Sequence, residues 1–281
     1  MKRILSLSTL LLLWDPFGLV PFFVFGQGWF PLGFTLRGVA TIDAETIIAV
    51  GEGRTLLRTT DGGITWESRS TGVSDSLYAV AFSDAAVGIA VGENGTIIRT
   101  TDGGITWSSS TSGTTNILFD VACGDANTFT VVGSVGTILR SSDGGLTWMA
   151  QSSGTGRTLH GVYFTTQDSG TAVGDGRTVL RTTDGGSSWL RQTIIASGNP
   201  RACAFRNTLV GVLVGTYGAI SRTTDGGVTW TAQVSGTTDS LLSVSFAGDS
   251  TVVAVGSGYS RIVRSTDGGV TWHNIVLDGV V

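Results

Sequence analysis

One eight-residue phrase recurs six times along the chain. Its first copy is Thr59-Thr60-Asp61-Gly62-Gly63-Ile64-Thr65-Trp66, and its aspartate returns at Asp102, Asp143, Asp184, Asp225 and Asp267. The steps are 41 residues four times and 42 once. A period held that tightly describes six copies of one supersecondary unit, none able to bury its apolar surface without its neighbours.

Each unit contains four short runs, in the second unit Leu77–Phe82, Gly88–Val91, Thr96–Thr101 and Ile105–Ser109. They are rich in β-branched and aromatic residues and punctuated by Gly, Asn, Asp and Ser, which predicts a four-stranded antiparallel meander. No stretch keeps a helical period long enough to compete. The first run pairs large with small residues. One parity holds Val39, Val80, Val121, Val162, Cys203 and Val244; the other holds Gly38, Ala79, Gly161, Ala202 and Ser243. Simple alternation also sets Tyr78, Val80 and Phe82 on one face. Sheets stacked around an axis need such complementarity, so the expected fold is all-β, a β-propeller of six four-stranded antiparallel blades. Seven-bladed closure and an open solenoid are the alternatives. Asp120 and Tyr163 interrupt the small face and imply local buried hydrogen bonds.

The repeats assign residues 27–281 to the propeller. Residues 1–26 read as a signal peptide or N-terminal anchor: Lys2 and Arg3 precede the apolar Ile4–Trp14, and Val24-Phe25-Gly26 offers a cut ahead of Gln27. The protein is therefore expected to be exported, to a periplasmic, lumenal or extracellular location. Gly28-Trp29-Phe30 could add an edge strand to the last blade or be the remnant of a seventh. The 42 glycines fall at fixed places in the units, which excludes a low-complexity linker. A net charge of −4 without a basic run leaves nucleic-acid binding no electrostatic footprint. Cys123 and Cys203 lie in different units and have no metal-ligand spacing, so they read as buried apolar residues. Neither metal nor cofactor is expected, and the chain is expected to be a monomer.

Asp-Gly is a hairpin signal, because the glycine takes the positive φ of a tight β turn. The aspartate can accept hydrogen bonds inside that turn, and the tryptophan then projects between blades. The phrase matches the Asp-box, or bacterial neuraminidase, repeat; only Ser188 departs, standing where the others have Thr. The longer string from Val91 to Trp107, VGENGTIIRTTDGGITW, resembles the repeat of the photosystem II stability and assembly factor family, a likeness that covers residues 34–281. The resemblance implies an exported, non-enzymatic Asp-box propeller that binds a protein or peptide client. In photosynthetic members the clients are newly made reaction-centre subunits, so a membrane-protein subunit is an implied partner here. Members are usually seven-bladed, whereas six units are counted in this chain.

Two sets of residues are candidates for partner binding. Arg58, Arg99, Arg140, Arg181, Arg222 and Arg264 hold one position in all six units. They either bridge to a neighbouring blade or form the arginine-rich client patch that the resemblance implies. The second set is where the copies disagree. Arg37, Tyr78, Phe119, His160, Arg201 and Leu242 share a position at the head of the first run and should ring one mouth of the channel. Loops on that side carry Glu52, Arg54, Glu93, Asn94, Asp175, Arg177, Tyr217 and Tyr259, and loops on a rigid scaffold are where binding residues gather. His160 and His273 stand alone and support no metal site. The repeated aspartates sit in separate hairpins and are structural.

The enzymatic rival is a sialidase, which needs an arginine triad, a Tyr activated by Glu and an acidic acid/base group. The Arg-Ile-Pro that announces it is absent, and the four Glu, at 45, 52, 67 and 93, all lie in the first two units. No enzyme activity is expected, and no catalytic residue is assigned. The non-enzymatic alternative is an extracellular, adhesive propeller that binds glycans.

Overall fold

The computed structural model describes residues 35–194, 198–257 and 262–275, with the backbone of two further strands, Phe22–Phe25 and Gly28–Pro31. The repeats form six four-stranded antiparallel sheets, each in sequence order from inner to outer strand. Blade 2, for example, consists of Leu77–Phe82, Gly88–Gly92, Ile97–Thr100 and Ser108–Ser110. The inner strands of blades 1 to 6 are Leu36–Thr41, Leu77–Phe82, Leu118–Cys123, Leu159–Phe164, Pro200–Phe205 and Leu241–Ala247. They pack one against the next in that order, which makes a six-bladed propeller.

Close approach of the inner strands explains the small residues. A Cβ on Gly38 would lie 2.8 Å from the Tyr78 carbonyl oxygen and 2.9 Å from the Ala79 Cα. The core is therefore a series of layers between blades. Ile48, Val50 and Leu56 of blade 1 pack on Leu77 and Val80 of blade 2, and equivalent clusters follow around the ring. Burying each such side chain contributes roughly 1.5–3 kcal/mol.

The Asp-box phrase forms the turn between third and outer strands. In blade 1 the Thr59 hydroxyl donates to Asp61 Oδ1 at 2.6 Å, and the Thr65 hydroxyl donates to Oδ2 at 2.5 Å. Those hydroxyls, with the Thr65 N–H, hold the Asp61 carboxyl at about 2. Thr147 does the same for Asp143 in blade 3. The second glycine has two constraints at once. Gly145 has φ +85°, and a Cβ there would meet Ile89 Cδ1 of the preceding blade at 2.3 Å. The tryptophans do project between blades, unevenly: Trp189, Trp230 and Trp272 are buried, while Trp66, Trp107 and Trp148 are half-buried.

The simple alternation expected of the inner strand is corrected. Each inner strand carries a β-bulge after its first residue, between Leu77 and Ala79 in blade 2. Leu77 therefore joins Val80 in the layer facing blade 1, and Tyr78 is released from that face. The bulged position is Arg37, Tyr78, Phe119, His160, Arg201 and Leu242 in turn.

The ring has a seam. Among the described residues, no packing comparable to that of the other pairs joins the inner strand of blade 6 to that of blade 1. Phe22–Phe25 and Gly28–Pro31 pair as a separate two-stranded antiparallel sheet, so the second of them adds no strand to blade 6. The remainder of the expected signal segment, residues 1–21 and 26, lies outside the described residues. No helix among the described residues is long and apolar enough to cross a membrane.

Candidate binding site at the channel mouth

The bulge builds the site. An extra residue on one strand is left out of the ladder, and its side chain is re-aimed. Six such residues surround one end of the channel, and the loops between second and third strands stand beside them. In blade 1, Arg37 is ion-paired with Glu52. In blade 2, the Tyr78 hydroxyl donates to Glu93 Oε1 at 2.9 Å, and Glu93 also accepts the Ser76 N–H. In blade 4, His160 Nε2 lies 3.1 Å from Asp175 Oδ1, and Arg201 of blade 5 bonds to the same imidazole. His160, expected to stand alone, thus has two partners. They come from a loop 15 residues downstream and from the next blade, separations at which sequence spacing carries no local signal.

These side chains also touch laterally. The Arg37 guanidinium carbon lies 5.7 Å from the Tyr78 ring centroid, Tyr78 stacks on Phe119 at 5.7 Å, and Phe119 meets His160 at 5.3 Å. Arg201 closes the series at His160. The result is a continuous ladder over five blades, with π-systems in the middle and arginines at both ends. Leu242 of blade 6 takes no part in these ring contacts. Phe119, expected at the mouth but not weighted as a binding residue, is the centre of the ladder.

Burial and mutual contact shift the titratable groups of the mouth. Tyr78 and Glu93 shift in opposite directions, as a phenol donating to a carboxylate requires. Burial and the neighbouring Glu93 push the Tyr78 phenol above its ordinary value, while the Tyr78 hydroxyl holds Glu93 low. Glu93 is a weakened base and Tyr78 a weakened acid. Burial, then the Arg201 charge, push His160 below its ordinary value despite Asp175. No group of three or more His, Cys, Asp or Glu residues suited to a metal occurs among the described residues.

The rim is formed by tight turns whose apices are left-handed. Arg54, Asn94, Val135, Arg177 and Tyr217 have φ between +52° and +59°. In blade 2 both central residues, Asn94 and Gly95, have positive φ, the geometry that suits hairpin twist. Asn tolerates this conformation; Val and Tyr do so at a cost of roughly 1 kcal/mol or more. Val135 and Tyr217 are nevertheless 65% and 76% exposed. Tyr259, the expected sixth member, lies outside the described residues.

The repeated arginines form no part of this mouth. They stand at the Asp-box end of the blades. Arg58, Arg99, Arg140, Arg181 and Arg222 each donate Nε–H to an Asp-box glycine carbonyl of the next blade, at 2.6–2.9 Å. The bridging reading is therefore observed for five of the six, and their Nε atoms are committed to holding blades together. Arg264 is exposed, and no such bond from it is found among the described residues. Hydrogen bonds from charged donors contribute about 1.5–3 kcal/mol, so Arg140→Ala should lower urea-unfolding stability by that amount. Arg140→Lys keeps the charge but has no donor at the Nε position, and should recover less than half of the loss. Full recovery by lysine would show that charge alone matters there.

Comparisons with known proteins place this geometry in context. The family model described as "Photosynthesis system II assembly factor YCF48" matches residues 111–258 and 198–280, together more than half of the chain. The BNR/Asp-box repeat model matches residues 98–109. No curated protein sequence matches significantly. Among solved structures, YCF48 from Cyanidioschyzon merolae is 22% identical with a TM-score of 0.73, over 90% of this chain and 88% of that one. A structure of YCF48 bound to D1 peptide is 23% identical with a TM-score of 0.72, over 88% and 83%. Virginiamycin B lyase from Staphylococcus aureus reaches 0.75 at 14% identity, over 86% and 84%. At these identities the likeness is one of fold, and an enzyme shares it.

Proposed function

The chain belongs to the Photosynthesis system II assembly factor YCF48 family, and from that premise we propose that it is a non-enzymatic, exported binding propeller that takes a peptide segment of a protein client at the channel mouth. The observation that carries this reading is the ladder from Arg37 to Arg201. Aromatic groups and arginines in a rigid setting supply contact area and hydrogen bonds at low conformational cost, the composition favoured in peptide and protein interfaces. The bulges fix these side chains on strands, and the strained apices at Val135 and Tyr217 set exposed groups around them. A relative bound to D1 peptide supports a peptide as the ligand class. By this reading the client is a membrane-protein subunit, the location is lumenal or periplasmic, and the chain acts as a monomer.

Fluorescence anisotropy with a labelled D1 peptide tests the site, alongside client capture from an envelope extract. The double substitution Tyr78→Ala, Phe119→Ala should weaken peptide binding at least tenfold. Both side chains are only half-buried, so the circular dichroism spectrum and melting temperature should change little. Unchanged affinity with an intact fold would remove the mouth as the site. Glycan-array binding with no protein or peptide captured would favour the adhesive alternative instead.

A further inference from the structure

We propose that the N-terminal hairpin, Phe22–Phe25 and Gly28–Pro31, docks in the seam between blades 6 and 1, covering the outward face of blade 6 and accepting the Arg264 guanidinium on a backbone carbonyl. The seam is recognisable because the other five interfaces define what a completed one looks like. In blades 1 to 5 the second-strand residues facing the next blade are Ile48, Ile89, Thr130, Thr171 and Val212, and all are buried. Their equivalent Val253 in blade 6 is half-buried. The third-strand residues Leu56, Ile97, Ile138, Val179 and Ile220 are at most 1% exposed, whereas Ile262 is half-buried. On the other bank Val39 is half-buried, where Val80, Val121, Val162, Cys203 and Val244 are buried.

The donor is left over as well. Five arginines reach a backbone carbonyl one blade ahead, and the sixth, Arg264, is exposed and reaches none among the described residues. A guanidinium needs an acceptor presented at an apolar surface, and the backbone of a docked hairpin supplies one. Chain connectivity selects the occupant. Residues 32–35 link the hairpin to Leu36, the first residue of the inner strand of blade 1. Fully extended, that link reaches about 18 Å at most, and stacked sheets lie about 10 Å apart. The hairpin is thus tethered beside the seam. Its sequence, Phe-Phe-Val-Phe and Gly-Trp-Phe-Pro, is apolar enough to cover Val253 and Ile262. Cleavage ahead of Gln27 would remove its first strand, so the mature chain must begin at or before Phe22.

Hydrogen exchange on the full chain tests the proposal, with residues 129–141 of blade 3 as internal reference. Phe23→Pro with Phe30→Pro breaks the hairpin at a paired position and should speed exchange across residues 251–265 at least tenfold, with 129–141 unchanged. Arg264→Ala alters an exposed side chain that does not endanger the fold. It should speed exchange of the hairpin amides and of 251–265 together. If neither segment responds to Arg264→Ala, or if 251–265 ignores the broken hairpin, the proposal fails. An equal effect from deleting residues 277–281 would name the C-terminal tail as occupant and overturn it. So would a concentration-dependent dimer mass abolished by the proline pair, since the hairpin would then dock on a second copy. Intact mass of the exported protein starting at Gln27 would overturn it too.

Discussion

Trp230→Ala should destabilise the propeller by about 3–5 kcal/mol, the range for deleting a buried indole. Trp230 is 2% exposed and lies in a layer with Val173 and Val179 of blade 4 and with Cys203, Phe205 and Leu213 of its own blade. Its ring meets Phe205 edge-on at 5.8 Å, and its Nε1 donates to the Gly227 carbonyl at 3.2 Å. Alanine leaves a cavity between two rigid sheets, which cannot close without moving the Asp-box turn. Trp148 provides the comparison, because it is half-buried and its Nε1 bonds to Ser110 Oγ across the interface. Trp148→Ala should cost roughly half as much, since the lost transfer energy scales with buried area. Urea unfolding of both variants measures the difference. Equal costs would mean that the position in the motif, rather than burial, sets the energy.

Asp120→Ala should flatten the fall in stability between pH about 4 and 7. Asp120 stands where other blades have Gly38, Ala79, Gly161, Ala202 or Ser243, so the backbone accepts a small side chain. Its Oδ1 accepts the Val121 N–H and its Oδ2 the Val162 N–H of the next blade. Burial dominates these bonds and pushes the carboxyl up to about 7. A raised carboxyl keeps its proton in the folded chain while the unfolded chain has released it. Stability therefore falls as pH rises from about 4 to about 7 and is level above, by at most about 1.4 kcal/mol per pH unit. Asp120 as a residue is half-buried rather than fully buried, so the slope should be shallower than that limit. His160, held below 6.5, slopes the other way as pH falls. The Asp61 and Asp143 carboxyls, at about 2, act only in stronger acid. The difference between parent and variant thus belongs to Asp120. Melting temperatures from pH 4.5 to 8 read it out, and parallel curves would return Asp120 to an ordinary ionised carboxylate.

The two arginine sets separate what repetition tells from what asymmetry tells. A residue present in every unit serves what every unit needs, and for five arginines that need is a bond to the next blade. The mouth residues were legible as a position because they differ from copy to copy. Their pairing was not, since Tyr78 meets Phe119 across blades 41 residues apart, and Arg201 meets His160 at the same separation.

Taken alone, the sequence determined the unit, its four strands, the number of blades, the interblade tryptophan and the internally bonded aspartate. These follow from local patterning and short-range turn chemistry, which a period of 41 residues repeats and so makes unambiguous. Tertiary structure alone decided the bulge that turns Tyr78 and its equivalents toward the channel, the ladder they form, and the seam beside which Arg264 stands exposed. The bulge arises in the register between inner and second strand of one blade, which alternation along the chain does not reveal. The ladder and the seam depend on how one blade meets another around the axis, and that meeting is fixed by packing across the ring rather than by any interval along the chain.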